Sequence, residues 1–205
     1  MKKLLALFAI FIASPALALD HLDLLIASYS TEDGSPVRLQ HVMTHRLGAD
    51  WLSLRGINNL DLDSDGKWTR IQLKPRVLGT FYETGGLSFH AAYQAEYFEN
   101  RRFDRFSNRA GIGTEFRTKT FSVEVNYLAY DDYAETERWD SYINWRYKDF
   151  AFNNVLWYVP KGNDYYEQAT FIYKLNKRFS VQYQRQWSSR LDVIDRVGIA
   201  VRFAK

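Results

Sequence analysis

The sequence contains no cysteine and only four prolines in 205 residues. Without cysteine the chain cannot form a disulfide scaffold, a thiolate zinc site or a cysteine nucleophile. A mean hydropathy of −0.39 excludes a protein with several transmembrane helices, because each helix needs about 20 consecutive apolar residues. Aromatic residues make up 17% of the chain, which together with the scarcity of proline argues against disorder. A compact, β-rich protein remains.

An export signal is predicted for residues 1–18. Lys2 and Lys3 form its positive start, an apolar run extends from Leu4 to Ala13, and Ala16-Leu17-Ala18 supplies the small residues of a cleavage site. The alternative, an uncleaved membrane anchor, needs a longer apolar run. Cleavage removes two lysines and lowers the formal net charge from +3 to +1, so the charge balance gives no support for a nucleic-acid partner.

The rest of the chain alternates with a period of two, the pattern of β-strands. In one run, Leu87, Phe89 and Ala91 alternate with Ser88 and His90. Turn signals rich in Gly, Pro, Asp and Asn separate such runs. The pattern predicts about twelve strands, at 22–30, 37–46, 51–61, 67–78, 87–98, 105–117, 121–130, 137–147, 150–158, 165–175, 178–188 and 193–203.

Strands of roughly ten residues have the length that a tilted strand needs to cross a bilayer. The alternative is a soluble periplasmic β-sandwich or lipocalin-like barrel, whose strands also alternate. Aromatic residues near strand ends favour the membrane, because outer-membrane barrels carry aromatic girdles at both interfaces. These residues are Trp51, Trp68, Trp139, Tyr147, Trp157, Tyr158, Tyr173 and Trp187.

The second face of the predicted strands is densely charged and cannot form a hydrophobic core. We therefore predict an all-β fold, a transmembrane antiparallel β-barrel of about twelve strands over residues 19–205, in the bacterial outer membrane, with its polar face inward. Its outer surface contacts membrane lipid. The predicted pore-lining, solute-contacting residues are Arg70, Lys74, Arg76, Glu96, Glu115, Arg117, Glu124, Asn126, Arg138, Asp140, Tyr142 and Arg146.

Two interpretations of this charged face remain open. It lines a narrow hydrated pore that holds a polar solute by charge and hydrogen bonds, or its charges pair with one another and plug the barrel. The pore is the favoured interpretation. Aromatic rings beside the charges suit a flat amphipathic solute such as a nucleobase or sugar, and the inward aromatic positions are predicted to be Tyr130, Tyr142, Phe152, Tyr158 and Tyr166.

Two other motifs suggest different chemistry. Residues 61–66 match the first half of a calcium-binding loop, but Gln72 occupies the twelfth position and the segment lies between alternating runs, so a hairpin turn is the better interpretation. His90 and three other histidines raise the possibility of a lipid-modifying barrel, yet no Ser and His form a recognisable nucleophile motif. We predict a non-enzymatic protein with no cofactor and no metal.

Three segments resemble the nucleoside-specific, Tsx-like channel-forming family of the outer membrane. Lys74-Pro75-Arg76 is similar to that family's acidic-Pro-Arg strand, with Lys74 in place of the acid. Residues 111–115 are similar to its Gly-x-Gly-Thr-Asp hairpin, and residues 137–142 to its Glu-Trp-Asp-Gly-Tyr strand start, with Ser141 in place of Gly. The resemblance implies a twelve-stranded barrel that admits nucleosides passively.

A second resemblance is to the oligogalacturonate-specific porins, which are also twelve-stranded and of similar size. That resemblance implies an anion-selective wall of basic residues for acidic sugars, while Glu96, Glu115 and Glu124 oppose a purely anionic preference. The sequence thus predicts a monomeric outer-membrane channel for a small hydrophilic solute, a nucleoside before a sugar. An acidic-oligosaccharide porin and a non-conducting or enzymatic barrel are the alternatives.

Overall fold

A computed structural model of the chain describes residues 18–30, 37–100, 104–131, 137–189 and 192–204. The described residues form twelve β-strands. The predicted export signal lies outside them, apart from Ala18. The strands are β1 (Ala18–Tyr29), β2 (Val37–Leu47), β3 (Leu52–Leu62), β4 (Trp68–Thr84), β5 (Leu87–Asn100), β6 (Asp104–Arg117), β7 (Phe121–Asp131), β8 (Arg138–Tyr147), β9 (Phe150–Val159), β10 (Asp164–Lys174), β11 (Phe179–Ser188) and β12 (Ile194–Ala204).

The strands form one closed antiparallel barrel. Each strand pairs with its neighbours in sequence, and β1 pairs with β12 from Leu22 opposite Ala204 to Tyr29 opposite Val197. Closure leaves no free sheet edge, which a barrel in a bilayer requires because unpaired backbone groups cannot be satisfied by lipid. The predicted all-β barrel of twelve strands is confirmed. Among the described residues no helix is long and apolar enough to cross a membrane.

Short turns join the strands at the opening of the barrel where β1 begins and β12 ends. The connection between β4 and β5 is only Gly85-Gly86, with φ values of 54° and 85° that favour glycine, and β8 and β9 are joined through Lys148, whose φ is 52°. Short turns mark the periplasmic side of outer-membrane barrels. Of the segments between predicted strands, 31–36 lies outside the described residues, as do parts of 99–104, 131–136 and 189–192.

Two predicted strand bounds were wrong by more than two residues. β1 begins at Ala18 rather than at residue 22, and β4 continues to Thr84, so that most of the predicted connection 79–86 is strand. A bulge between Thr80 and Tyr82 shifts the register of β4 against β5. The bulge interrupts the strict alternation from which the strand was predicted, which explains why the sequence pattern ended too early.

The turn between β3 and β4 is a hydrogen-bonded hairpin. The Asp63 carboxylate accepts hydrogen bonds from the backbone N–H groups of Asp65 (3.0 Å) and Lys67 (2.9 Å), and the Gly66 N–H donates to the Asp63 carbonyl at 3.0 Å. An Asx turn of this kind explains why aspartate is frequent in this segment. The hairpin interpretation of residues 61–66 is confirmed.

The two faces of the barrel have opposite polarity. Large apolar side chains on the outward face are exposed, among them Ile112, Trp145, Phe171, Val197 and Ile199. On the inward face, charged and amide side chains are buried, among them Arg138, Asp140 and Gln184. A soluble protein has the reverse arrangement, so this polarity is that of a barrel surrounded by lipid.

Candidate functional site

The predicted pore-lining residues all lie on the inward side of the barrel, but at two levels. Arg117 and Arg146 are exposed at the periplasmic end, near the last residues of β6 and β8. The other predicted residues line the lumen above them and are buried or half-buried. Contacts between strands that do not pair show that these side chains meet across the lumen: Arg76 of β4 lies 2.8 Å from Glu124 of β7.

The first half of the central network surrounds Arg138. Its guanidinium group donates two hydrogen bonds to Asp140, from Nε to Oδ1 at 2.6 Å and from Nη2 to Oδ2 at 2.8 Å, and its Nη1 lies 3.4 Å from Oε2 of Glu96. The ammonium group of Lys74 lies 3.0 Å from the other oxygen of Glu96. The Tyr142 hydroxyl donates to Asp140 at 3.3 Å. Each charge in this half therefore has an opposite partner.

The second half surrounds Glu124. Its carboxylate is paired with Arg55 and Arg76, and it accepts a hydrogen bond from the Asn126 amide at 2.7 Å. Arg55 also reaches Glu115, with Nη2 3.0 Å from Oε2, so it bridges two carboxylates of different strands. Nε2 of His90 lies 2.7 Å from Oδ1 of Asn126 and continues the chain of hydrogen bonds.

The central network is electrically balanced. At the buried level four cations and four carboxylates take part: Arg55, Lys74, Arg76 and Arg138 with Glu96, Glu115, Glu124 and Asp140. The exposed Arg117 contacts Glu115 from the periplasmic end, outside this level. Lys74, Arg76, Glu96, Glu124, Arg138 and Asp140 are between 0% and 8% exposed. Side chains therefore occupy the cross-section of the lumen at this level. The interpretation in which charges pair across the barrel describes this central level.

Polar side chains continue the network toward the extracellular end. The Gln40 amide donates to Asn59 at 2.8 Å, Asn59 donates to Gln72 at 3.0 Å, and Gln72 donates to Glu96 at 3.1 Å. These bonds link four consecutive strands, β2 to β5. Above them Asp61 is held between two arginines, with Arg38 Nε 2.7 Å and Arg70 Nε 2.6 Å from its oxygens.

An aromatic wall faces the charged network. Trp157 of β9 stacks on Tyr166 of β10, with ring centres 4.6 Å apart and an interplanar angle of 20°. The Lys74 ammonium lies 3.3 Å from the centre of the Trp157 ring, and the Arg138 guanidinium carbon lies 5.5 Å from it. Across the network, the Arg76 guanidinium carbon lies 4.3 Å from the centre of the Tyr142 ring. These cation–π contacts hold aromatic rings against the paired charges.

The prediction for β9 was wrong by one residue. Phe152 and Tyr158, predicted to face inward, pair with the outward-facing Phe171 and Trp139, while Trp157, predicted to belong to the outer girdle, lies in the lumen. Because side chains alternate, a shift of one residue exchanges the two faces of a strand. Tyr142 and Tyr166 face inward as predicted, and the side chain of Tyr130 lies outside the described ones.

The periplasmic end of the lumen is positively charged. Arg117, Arg146 and Arg202 are exposed there, and Arg146 interacts electrostatically with the other two. Arg117 Nη2 is paired with Glu115 at 2.7 Å. Lys174 ends β10 at the same level. The charge balance of the central network thus does not extend to this opening, where an excess of cations attracts anions.

Sequence reasoning missed Arg38, Arg55, Asp61 and Trp157. Strands β2 and β3 alternate poorly, so their inward residues were not recognisable from hydrophobicity. For Trp157 a signal was present in the turn position: counting outward from the turn before Phe150 sets Trp157 opposite Asp140, the register that the structure has. For β3 no such count succeeds, because a bulge between Asp61 and Leu62 shifts the register that places Arg55 opposite Arg76.

His90 lies inside the barrel rather than on its lipid-facing surface. Its side chain is 2% exposed and lies inside the barrel against Asn126, away from the outer surface where lipid molecules are. Among the described residues, no group of three or more His, Asp and Glu side chains has the geometry to hold a metal ion.

The fold is that of the twelve-stranded outer-membrane barrels. A KdgM porin structure superposes with a TM-score of 0.64 at 15% identity, covering 89% of this chain and 99% of that chain. A NanC porin gives 0.61 at 11% identity, covering 89% and 99%. Outer membrane phospholipase A from Escherichia coli gives 0.65 at 13% identity, covering 91% and 93%.

No protein-family model matches the sequence, and no curated protein matches it significantly. Identities of 11–15% show a shared fold and nothing finer. Two of the similar structures are porins and one is a phospholipase, so the fold by itself does not separate a channel from an enzyme. The barrel fold and its apolar outer face together place the chain in the bacterial outer membrane, as the sequence predicted.

Proposed function

We propose that the chain is a passive outer-membrane channel for small hydrophilic solutes, and that the central network is its selective constriction. The observation that carries this proposal is the pairing of a charge-balanced, hydrogen-bonding wall with an aromatic wall, Trp157 and Tyr166, at one level of the lumen. If the inward side chains served only to fill and stabilise the barrel, the charge-balanced wall alone would be sufficient. A path for a solute with both a ring and polar groups uses the two together.

A nucleoside is the solute that matches these two walls. Its base has a flat face for stacking on Trp157, where Lys74 now lies 3.3 Å from the ring centre, and its ribose hydroxyls exchange hydrogen bonds with Glu96 and Asp140. A neutral solute also suits a constriction in which cations and carboxylates are equal in number. This choice agrees with the resemblance of residues 67–147 to the nucleoside-channel family.

Passage requires the network to open, because its side chains fill the lumen. The solute replaces ion pairs and hydrogen bonds one at a time, so that no charge is left unpaired in the interior, where an unpaired charge is costly. Arg138 and Lys74 move off Trp157 as the ring arrives. Each contact must be weak, since conduction needs release as well as binding.

The second candidate is a channel for acidic oligosaccharides. It is favoured by the basic periplasmic opening, with Arg117, Arg146 and Arg202 exposed there. A KdgM porin of the same fold is described in complex with disordered oligogalacturonate. In this candidate the arginines attract an anionic oligosaccharide. The carboxylate side chains of the constriction then change conformation and move away from its path.

The test is single-channel conductance of the refolded chain in a planar bilayer, with nucleosides and then oligogalacturonates added. For the nucleoside channel we expect current that low nucleoside concentrations block, and Trp157→Ala to raise conductance and weaken the block about ten-fold, as the loss of one stacked ring implies. Trp139→Ala, on the outward face opposite Tyr127, is the matched control and leaves both unchanged.

The other outcomes of this experiment decide between the candidates. Block by oligogalacturonates alone moves the assignment to the acidic-sugar channel. A folded barrel without conductance contradicts both channels and leaves a plugged barrel. Folding is checked separately by the heat-dependent migration of the barrel in detergent gels, so a silent preparation is distinguished from a misfolded one.

A further inference from the structure

A shallow apolar groove crosses the outward face of the barrel where the first strand, β1, pairs with the last strand, β12. Its volume is about 380 Å³. The groove runs over β11, β12, β1 and β2 and therefore lies on the surface that faces lipid. Its lining is Ala27, Ser28, Tyr29, Val37, Val181, Val197, Gly198 and Ile199.

The groove exists because small residues alternate with larger ones at this junction. Ala27 of β1 lies between Ile199 of β12 and Leu39 of β2, its direct partners in the two ladders, and its single methyl group leaves a depression between them. Tyr29, 56% exposed, stands beside it toward the extracellular end. Gly198 brings β12 close to β1, since a Cβ atom there would lie 2.6 Å from the Ala27 carbonyl oxygen.

A polar cluster closes the extracellular end of this groove. Asp195 lies two residues beyond Val197 on the same face of β12, and it accepts a hydrogen bond of 2.7 Å from the Tyr183 hydroxyl. Arg185, opposite Asp195 in the ladder, has its Nε atom 3.7 Å from the carboxylate, which is longer than a hydrogen bond. The Arg185 side chain is half exposed, so its guanidinium group is accessible from outside the barrel.

The position of this cluster indicates the head-group level of the outer leaflet. Arg185 is three residues from the extracellular end of β11, and Asp195 is the second residue of β12. A lipid-facing arginine costs about 2–4 kcal/mol at the bilayer midplane and close to zero near an interface. The groove extends from the extracellular end of β1, at Tyr29, toward Ala27 and Ile199 in the interior of the sheet.

We propose that this groove binds an acyl chain of the phosphorylated glycolipid of the outer leaflet, with the Arg185 guanidinium contacting a phosphate of its head group. The occupant is argued from charge and position: the half-exposed Arg185 guanidinium group, held to Asp195 only at 3.7 Å, lies beside an apolar groove on the lipid-facing surface. Arginine presents a planar fork of donors that matches phosphate oxygens. The proposal concerns the outer surface and does not depend on what passes through the lumen.

The test is native mass spectrometry of the refolded barrel in a neutral detergent, with added bisphosphorylated lipid A as the probe. We expect a bound lipid A at concentrations where zwitterionic phosphatidylethanolamine does not bind. Arg185→Gln is expected to weaken lipid A about ten-fold, the loss of one charge-assisted contact. Ala27→Trp, which fills the groove, is expected to weaken it as well.

The control is Lys161→Gln, which removes one positive charge from the extracellular turn between β9 and β10, away from the groove; lipid A binding stays unchanged. Dephosphorylated lipid A on the unaltered protein needs no variant, and it is expected to bind as weakly as the zwitterionic lipid. Equal binding by Arg185→Gln and the unaltered chain overturns the proposal. So does equal binding of the two lipids, or a dimer in place of lipid adducts.

Discussion

Lys74 lies with its Nζ atom 3.3 Å from the centre of the Trp157 ring, although the two residues belong to β4 and β9 on opposite sides of the lumen. The same ammonium group is 3.0 Å from Glu96. One side chain thus connects the charged wall to the aromatic wall. Its removal affects both the charge balance and the aromatic contact of the constriction.

Replacing Lys74 is expected to make the channel prefer cations. Lys74→Met leaves three cations against four carboxylates at the constriction, so the local potential becomes negative. The measurement is the reversal potential across a potassium chloride gradient. Glu124→Gln is expected to shift the reversal potential in the opposite direction, and two shifts of the same sign would contradict the balanced constriction.

Arg55 was not predicted from the sequence, and its removal is expected to widen the constriction. Arg55 bridges Glu115 and Glu124 from across the lumen, so Arg55→Ala removes a cross-brace. Single-channel conductance is expected to rise at least two-fold, because the substitution removes side-chain volume from the narrowest level of the lumen. Arg178→Ala, in the periplasmic turn between β10 and β11, is the control, and a conductance equal to that of the control would place Arg55 off the path.

Breaking the Arg138–Asp140 pair is expected to destabilise the barrel. Asp140 is fully buried, so Asp140→Asn leaves the Arg138 guanidinium group with only Glu96 as a charged partner. Removing one partner of a buried ion pair costs about 3–5 kcal/mol. Urea unfolding of the barrel in lipid vesicles measures the change in the free energy of unfolding.

The exposed pair Arg46–Asp50, 3.6 Å apart, is the matched control for that experiment. Because solvent screens exposed pairs, Asp50→Asn is expected to cost less than about 1 kcal/mol. Similar losses for Asp50→Asn and Asp140→Asn would show that water reaches the central network freely.

Gly113 is expected to tolerate no side chain. A Cβ atom at this position would lie 2.5 Å from Nε2 of His90 and 2.8 Å from the Val125 carbonyl oxygen. Gly113→Ala therefore forces the His90–Asn126 contact apart, with an expected loss of about 1–3 kcal/mol from overpacking. Gly162→Ala, in an outer turn where a Cβ atom meets only the Asp164 carboxylate, is the control, and equal unfolding midpoints would contradict the close approach.

Much of the fold followed from the sequence because strand alternation and turn residues are local properties. The runs around Phe89 and Val123 alternate strictly, and the structure has strands there with bounds close to the predicted ones. The predicted inward face was also right for Lys74, Arg76, Glu96, Glu124 and Arg138. In a membrane barrel the polar face must turn away from lipid, so the polarity of the residues alone decides which face of each strand points into the lumen.

The pairing of charges in the central network could be found only from the tertiary structure. Sequence reasoning placed charges on one face, but which cation meets which carboxylate depends on contacts across the lumen, such as Arg76 with Glu124 and Arg138 with Glu96. Those contacts follow from barrel closure and strand stagger, which alternation does not encode. Closure likewise brought Trp157 to Lys74 and set Ala27 between Leu39 and Ile199.

The sequence by itself therefore determined a twelve-stranded outer-membrane barrel with a charged interior, because periodicity and polarity act along each strand. The tertiary structure decided that the central charges are paired in equal number and that Trp157 faces them. It also placed a groove, with Arg185 at its extracellular end, where β1 pairs with β12. These features join residues far apart in the chain, and their distances are set by the closed circumference of the barrel.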